Sequence, residues 1–224
     1  MKVYLLLISI LFTSSVCVFG QSAITATDED ATYTRTITTR SEKIVSTLEI
    51  SDPSTEKNLV SLIANQYRNL NTIYEERDLQ VKTVKEKNET NNAMETELKK
   101  IESSTNEKIS ALHTTFISAL SSSLSPDQVV KVKDGMTYNV LSVTYHAYVD
   151  MIPSLKKEER EQIMAWLVEA RELAMDAESS EKKHWWFGKY KGRINNYLSA
   201  QGYNITEERQ AWEKRKNLKQ SGTH

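Results

Sequence analysis

The chain has 224 residues, with 29 Lys and Arg residues against 30 Asp and Glu residues, so its formal net charge is -1. A chain of this length can bury a real core, and its charge balance argues against a dedicated nucleic-acid binder, which would carry a basic excess. Only six Gly and three Pro residues are present. Because sheets of many strands need these residues in their tight turns, the sequence disfavours a sandwich or barrel and predicts an all-α fold.

Residues 1–20 have the organisation of a signal peptide. Lys2 supplies a positive charge, an apolar run follows it, and cleavage is expected before Gln21. Export, to the periplasm, is therefore expected. Cys17, the only cysteine, would be removed with this segment, and lipidation of Cys17 is the less favoured alternative. No later stretch is apolar enough to span a membrane.

The remainder of the chain divides by its hydrophobic pattern. Residues 21–40 are Thr-rich and lack a helical period, so we predict a flexible arm there. Residues 41–217 are predicted to form a single helical domain, beginning with a short helix from Ser41. Residues 218–224 are predicted to be a polar tail.

Two long amphipathic segments predict an antiparallel helical hairpin. The first begins at Asp52-Pro53, a typical helix start, and ends near Lys87. The second carries apolar residues from Met94 to Leu120. At 1.5 Å per residue each arm would be about 50 Å long. Its polar outer end is expected to project from a compact core.

Five shorter helices are predicted to form that core, which is rich in aromatic residues. All four Trp residues lie in this part of the chain. Capping residues and apolar spacing give the predicted bounds: about 126–135 with Gly135 as C-terminal cap, 137–152, 157–177, 180–201 and a last helix from Thr206.

The segment around Trp185 and Trp186 is the most aromatic part of the chain. On a helical wheel Lys182, Trp185, Lys189, Arg193 and Asn196 share one stripe, apart from an apolar stripe assigned to the core. An indole face stacks on a sugar ring, cations bind carboxylates and an amide binds hydroxyls. A solvated basic face is the alternative interpretation. The candidate ligand-binding residues are Trp185, Trp186, Lys189, Arg193, Asn196, Tyr138, His146 and His184.

Gly188 and Gly192 lie four residues apart in the same predicted helix. Each costs about 1 kcal/mol relative to Ala in a helix interior, so a compensating gain is expected. Close packing of a neighbouring helix is one explanation, and close approach of a ligand is the other.

Acid–base chemistry has two candidate sources in the sequence. His146 and Asp150 lie one helical turn apart, so the carboxylate could orient the imidazole, although a surface ion pair is the alternative. Asp134 and Asp176 lie beside apolar segments and are the first carboxylates to consider, with helix capping or ion pairing as the alternative. The four His residues are scattered, and neither a metal site nor a cofactor is predicted.

Several runs resemble those of a known family: V-K-D-G-M-T-Y-N-V (132–140), E-A-R-E (169–172), A-M-D-A (174–177) and K-H-W-W-F-G-K-Y-K-G-R-I-N-N-Y-L (183–198). The family consists of uncharacterised exported Bacteroidetes proteins and is catalogued as a domain of unknown function for which sugar binding has been suggested. The resemblance extends over about residues 40–212. It implies an exported protein of a Gram-negative bacterium that serves polysaccharide use, and it carries over no catalytic residues.

We therefore expect an exported carbohydrate-binding protein for acidic plant-polysaccharide fragments, with no nucleic-acid partner. Two alternatives remain open at this point. One is a glycan-processing hydrolase or lyase that uses His146, His184 or a carboxylate as acid or base. The other is a helical protein-interaction module whose projecting hairpin docks to a partner.

Overall fold

The structure, a computed structural model, describes residues 26–87 and 90–221. These residues form eight helices and contain no strand, so the predicted all-α class is confirmed. No helix in the described ranges is long and apolar enough to cross a membrane. The predicted signal peptide and the end of the predicted tail lie outside them. The helices are α1 (Ala26–Val45), α2 (Pro53–Glu86), α3 (Asn91–Ser121), α4 (Pro126–Met136), α5 (Val140–Met151), α6 (Lys157–Met175), α7 (Ser180–Ala200) and α8 (Ile205–Ser221).

Helices α2 and α3 are the longest, and they pack against each other in opposite directions. The side chain of Asp52 caps the start of α2. Ile63, early in α2, belongs to the same core cluster as Leu120, at the end of α3. Further along, Lys108 Nζ of α3 lies 2.8 Å from Glu76 Oε2 of α2.

The buried residues form two core clusters. The first unites α1 to α4 with the end of α6, and the second unites α5 to α8. Full burial of each aliphatic or aromatic side chain contributes roughly 1.5–3 kcal/mol, so the two clusters hold the eight helices together. The turn between α6 and α7 lies where the clusters meet. Among the largest fully buried side chains are Ile63, Leu120, Met136 and Met175 in the first cluster and Leu167, Phe187 and Ile194 in the second.

Helix α1 begins much earlier than the sequence predicted, since residues 26–40 are helical rather than a flexible arm. Ile37, Ser41 and Ile44 are all buried at helical spacing, and a polar residue in the middle of this stripe conceals its period. The hydroxyls of Thr36 and Thr38 donate to carbonyl oxygens four residues earlier, so the helix itself satisfies them.

The junction of α4 and α5 also differs from the prediction. Gly135 lies within the last turn of α4, and Thr137 takes the C-cap position instead. A Cβ at Gly135 would come within 2.8 Å of Ile44 Cγ1, so glycine allows α1 to approach α4 closely here. The left-handed positions are taken by Tyr138 (φ 58°) and Asn139 (φ 56°), and α5 starts only at Val140. Two consecutive left-handed residues other than glycine are costly, at about 1–2 kcal/mol each.

Candidate functional site

Helix α7 presents one face to the core and another to solvent. Ser179 caps its start by accepting a hydrogen bond from the Lys182 backbone N–H (3.1 Å). Phe187 and Ile194 are buried in the second core cluster. Because residues three and four apart share a face, this burial leaves Trp185 outside, with 52% of its surface exposed.

Trp185 and Trp186 form an aromatic pair at the surface of α7. Their rings meet edge to face, with centroids 4.9 Å apart. The ammonium of Lys189 lies 5.4 Å from the Trp185 ring and 5.1 Å from the Trp186 ring. The predicted stripe therefore brings two indoles and one cation together on one helix.

These two indoles line a cavity of about 300 Å³, here called the tryptophan groove, between α2, α3 and α7. The Arg77 guanidinium on its wall is bound to Glu178 and Asp78. Polar side chains that can bind hydroxyl groups surround the indoles. The lining residues are Tyr74, Arg77, Glu102, Thr105, Asn106, Ile109, Ala177, Glu178, Lys182, Trp185 and Trp186.

A second cavity of about 590 Å³ adjoins the tryptophan groove, and Trp186 lines both. It holds an ionisable cluster that we call the acid–base cluster: His113 of α3, Glu172 of α6 and Asp176 at the end of α6. His113 Nδ1 is hydrogen bonded to Asp176 Oδ2 at 2.6 Å. His113 Nε2 lies 3.7 Å from Glu172 Oε2, which is too long for a hydrogen bond and leaves Nε2 able to reach a ligand.

The surroundings of His113 and Glu172 shift the pKa values of these two side chains in opposite directions. The hydrogen bond to Asp176 raises the pKa of His113 and so favours the imidazolium. Burial by itself would raise the pKa of Glu172, but the neighbouring Lys133 and Arg171 lower it below its usual range. His113 thus tends to hold a proton, and Glu172 stays ionised, a division typical of acid–base sites.

Further buried groups hold Asp176 in position. The Tyr74 hydroxyl donates to the Asp176 backbone oxygen (2.8 Å), and the Gln66 amide approaches its Oδ1 at 3.5 Å. Burial, followed by the charges of Glu178 and Asp176, raises the pKa of Tyr74 to about 12, so its hydroxyl stays protonated. The buried Lys183 ammonium donates to the backbone oxygens of Ala174 and Met175, the last two residues of α6.

Two residues of the predicted stripe are placed differently from their expected roles. Arg193 lies 4.5 Å from the Trp166 ring and 3.4 Å from Glu169 Oε2, so its guanidinium is already engaged with α6. Asn196 is exposed about three turns beyond the indoles, and its side chain makes no hydrogen bond with the described residues. Neither lines the tryptophan groove.

Tyr138 and His184 meet on the other side of the start of α7. Their rings stack with centroids 5.8 Å apart, and the Tyr138 hydroxyl is hydrogen bonded to Ser180 Oγ. Tyr138 also lines a cavity of about 670 Å³ whose wall includes Arg40, Lys43 and Lys131. The structure therefore separates Tyr138 and His184 from the two indoles.

His146 and Asp150 do not form the predicted acid–base pair. His146 Nδ1 lies 2.7 Å from the Ser142 backbone oxygen of its own helix. Asp150 instead accepts a hydrogen bond from the Trp212 indole of α8. The Asp150 carboxylate, which the sequence analysis placed beside His146, instead joins α5 to α8 through Trp212.

Of the two carboxylates singled out from the sequence, Asp134 forms an ion pair with Arg171 (2.9 Å), and Asp176 belongs to the acid–base cluster. His113 and Glu172 were missed. The available clue was that His113 precedes the apolar Phe116 by three residues and so borders the buried stripe of α3. In the described ranges no group of three or more His, Cys, Asp or Glu residues is arranged to hold a metal ion.

Gly188 and Gly192 are not sites of close helix packing. A Cβ added to either would meet nothing within 4 Å. Both lie inside α7, where glycine costs about 1 kcal/mol relative to alanine. The predicted explanation by a neighbouring helix is therefore wrong, and both glycines border an open groove.

The fold and these cavities define a small all-α protein with surface grooves of a size suited to small ligands. The chain belongs to the family described as "Protein of unknown function (DUF3826)", whose model matches residues 34–217. No match was found among curated proteins.

Proposed function

We propose that this protein binds carbohydrate in the tryptophan groove. The observation that carries this proposal is the indole of Trp185, which stands half exposed beside a cavity lined by polar side chains. The C–H face of a sugar ring would cover such an indole, while Glu102 and Asn106 would bind its hydroxyls. The suggested sugar-binding role of similar exported proteins agrees with this chemistry.

An acidic sugar fits one end of the groove. Lys189 is exposed over the two indoles and, as an exposed cation–π contact, is held there by only about 0.5–1 kcal/mol. It can therefore turn to meet the carboxylate of a stacked uronate. Arg193 is left out of this proposal because Glu169 and Trp166 already bind it.

Calorimetric titration with galacturonan oligomers and neutral oligosaccharides tests the proposal. Trp185→Ala should weaken binding by roughly 5- to 150-fold, since stacking a flat ring such as a nucleobase on an aromatic face contributes about 1–3 kcal/mol. Leu79→Ala is the matched control, because it also removes an exposed apolar side chain from a long helix. Lys189→Gln should weaken only the acidic ligands. Equal affinities for wild type and Trp185→Ala would contradict the proposal, as would the absence of binding by either ligand class.

Export to the periplasm is part of the proposal. The charged start, apolar run and cleavage site of residues 1–20 support it. Mass spectrometry of the protein made in a Gram-negative host should give a chain beginning at Gln21. A full-length chain in the cytoplasmic fraction, with none in the periplasm, would contradict export.

A glycan-processing activity is the second candidate, and the acid–base cluster favours it. Protonated His113 could give its proton to the glycosidic oxygen as the glycosidic bond breaks. Water would then supply the hydroxyl to the anomeric carbon, and the proton that this water loses would return to the neutral imidazole of His113. Glu172, held ionised by Lys133 and Arg171, could stabilise positive charge on the sugar ring. The binding groove would then hold the substrate beside these groups.

Incubation with the bound oligosaccharide distinguishes the two candidates. An enzyme should produce new reducing ends, and His113→Gln should abolish them while leaving affinity within a fewfold of wild type. A binding protein should produce none. Product formation that survives both His113→Gln and Glu172→Gln would exclude the acid–base cluster as the source of the activity.

A further inference from the structure

A third cavity of about 640 Å³ lies between α5, α7 and α8, on a different face of α7 from the tryptophan groove. We call it the glycine groove because Gly188 and Gly192 lie along it. Its volume is in the range of sites that hold drug-sized ligands. The lining residues are Val143, Thr144, Ala147, Tyr148, Met151, Gly188, Lys191, Gly192, Asn195, Ile205, Arg209 and Trp212.

The two glycines leave bare helix backbone on one wall of the groove. Neither is at a turn or has a positive φ, and an added Cβ would meet nothing. Neither the backbone conformation nor the packing of neighbouring helices therefore requires glycine at positions 188 and 192. What it does provide is room for a flat group to lie directly on α7.

The lining combines apolar surface with unpaired positive charge. Val143 on α5 is 67% exposed, and Met151 and Trp212 extend the apolar surface. Lys191 and Arg209 have no hydrogen bond or ion pair from their side chains to the described residues. None of the described lining residues is acidic. The groove thus suits a ligand that has both an apolar ring and a negative charge.

Hydrogen bonds fix the walls before any ligand arrives. The Tyr148 hydroxyl donates to Asn195 Oδ1 (2.7 Å), which joins α5 to α7. The Trp212 indole donates to Asp150. Arg215 donates to the backbone oxygens of Asp150 (2.9 Å) and Met151 (3.0 Å), which joins α8 to the end of α5. A preformed site loses less entropy on binding.

We propose that the glycine groove binds a ring-containing organic carboxylate. The ring lies on Gly188 and Gly192 against the indole of Trp212, and the carboxylate meets Lys191 and Arg209. This site is separate from the tryptophan groove and does not depend on carbohydrate binding there.

Calorimetric titration of the full chain with three probes tests the ligand class. The probes are 2-naphthoate, its neutral counterpart 2-naphthylmethanol, and acetate. We expect 2-naphthoate to bind, the neutral ring to bind at least tenfold more weakly, and acetate not to bind. Absence of 2-naphthoate binding, or equal affinity for the neutral ring, would overturn the proposal.

Variants test the location. Gly188→Ala with Gly192→Ala should raise Tm by several degrees, because alanine favours the helix, yet weaken 2-naphthoate binding at least tenfold by filling the groove. Arg209→Gln should weaken 2-naphthoate about tenfold and leave the neutral ring unchanged. Lys214→Gln, an exposed cation of α8 outside the groove, is the matched control.

Two results would overturn this location. One is unchanged 2-naphthoate affinity in the double glycine variant, whose raised Tm shows that it has folded. The other is loss of 2-naphthoate binding in Trp185→Ala, since that residue belongs only to the tryptophan groove. Because Trp185 lines only the tryptophan groove, 2-naphthoate binding that is unchanged in Trp185→Ala supports this site whether or not the carbohydrate proposal holds.

Discussion

Replacing Lys183 by Met should change how the stability of this protein depends on pH. The Lys183 side chain is buried, and its Nζ donates to the backbone oxygens of Ala174 (3.0 Å) and Met175 (2.7 Å). Burial lowers the pKa of Lys183 from 10.5 to about 8, against the opposing attraction of Asp176. The folded protein therefore releases this proton more readily than the unfolded chain does.

The sign and size of the effect follow from that difference. Between pH 8 and 10.5 the unfolded chain binds the Lys183 proton and the folded protein does not, so the free energy of unfolding rises with pH. At roughly 1.4 kcal/mol per pH unit, this contribution amounts to about 3 kcal/mol across the whole window. Below pH 8 both states are protonated and the contribution is constant.

Urea unfolding of wild type and Lys183→Met at several pH values measures this contribution. Both proteins contain the same buried tyrosines, so subtracting one free energy of unfolding from the other isolates Lys183. The difference should move in favour of wild type by about 2–3 kcal/mol between pH 8 and pH 10. A difference that does not vary with pH would refute the assignment of a lowered pKa to a buried ammonium.

Three further predictions follow from particular positions. Glu49→Gly should raise the free energy of unfolding by about 0.5 kcal/mol, because Glu49 has φ 55° and glycine adopts this conformation without strain. Urea unfolding measures the change, and the control Glu49→Ala should show no increase. Gly135→Ala should lower Tm despite alanine's helix propensity, because its Cβ would lie 2.8 Å from Ile44 Cγ1, and an unchanged or raised Tm would disprove the clash. His113→Gln should lower the free energy of unfolding more at pH 5.5 than at pH 9, because Asp176 raises the pKa of His113 in the folded protein. The resulting stabilisation is complete below the pKa of His113 in the unfolded chain, and it is lost as pH rises through the pKa of His113 in the folded protein. Equal losses at both pH values would count against the His113–Asp176 contact.

The local features of the site could be predicted from sequence because they depend on one helix. The period of α7 was enough to place Trp185, Lys189 and Arg193 on one stripe. What Arg193 binds depends instead on how α7 crosses α6, which brings Glu169 and Trp166 to it. Helical spacing carries no information about that crossing.

The acid–base cluster lay beyond prediction for the same reason. His113 and Asp176 are 63 residues apart and meet only because α3 packs beside the end of α6. In α1 the obstacle was local: a buried Ser41, whose hydroxyl donates to the Ile37 backbone oxygen (2.8 Å), looks like a break in an apolar stripe. A buried polar side chain whose hydrogen bond is made within its own helix can occupy a core position, but it interrupts the hydrophobic period by which the helix would be predicted from sequence.

Helix α7 separates the two grooves, with Trp185 and Trp186 on one side and Gly188 and Gly192 on the other. Because α7 forms a wall of both grooves, a ligand that displaces α7 in one groove would also move a wall of the other. If a ligand in one groove shifts α7 and thereby changes affinity in the other by some factor, the second ligand must change affinity for the first by the same factor. A single helix would then be enough for heterotropic cooperativity within one chain of this size.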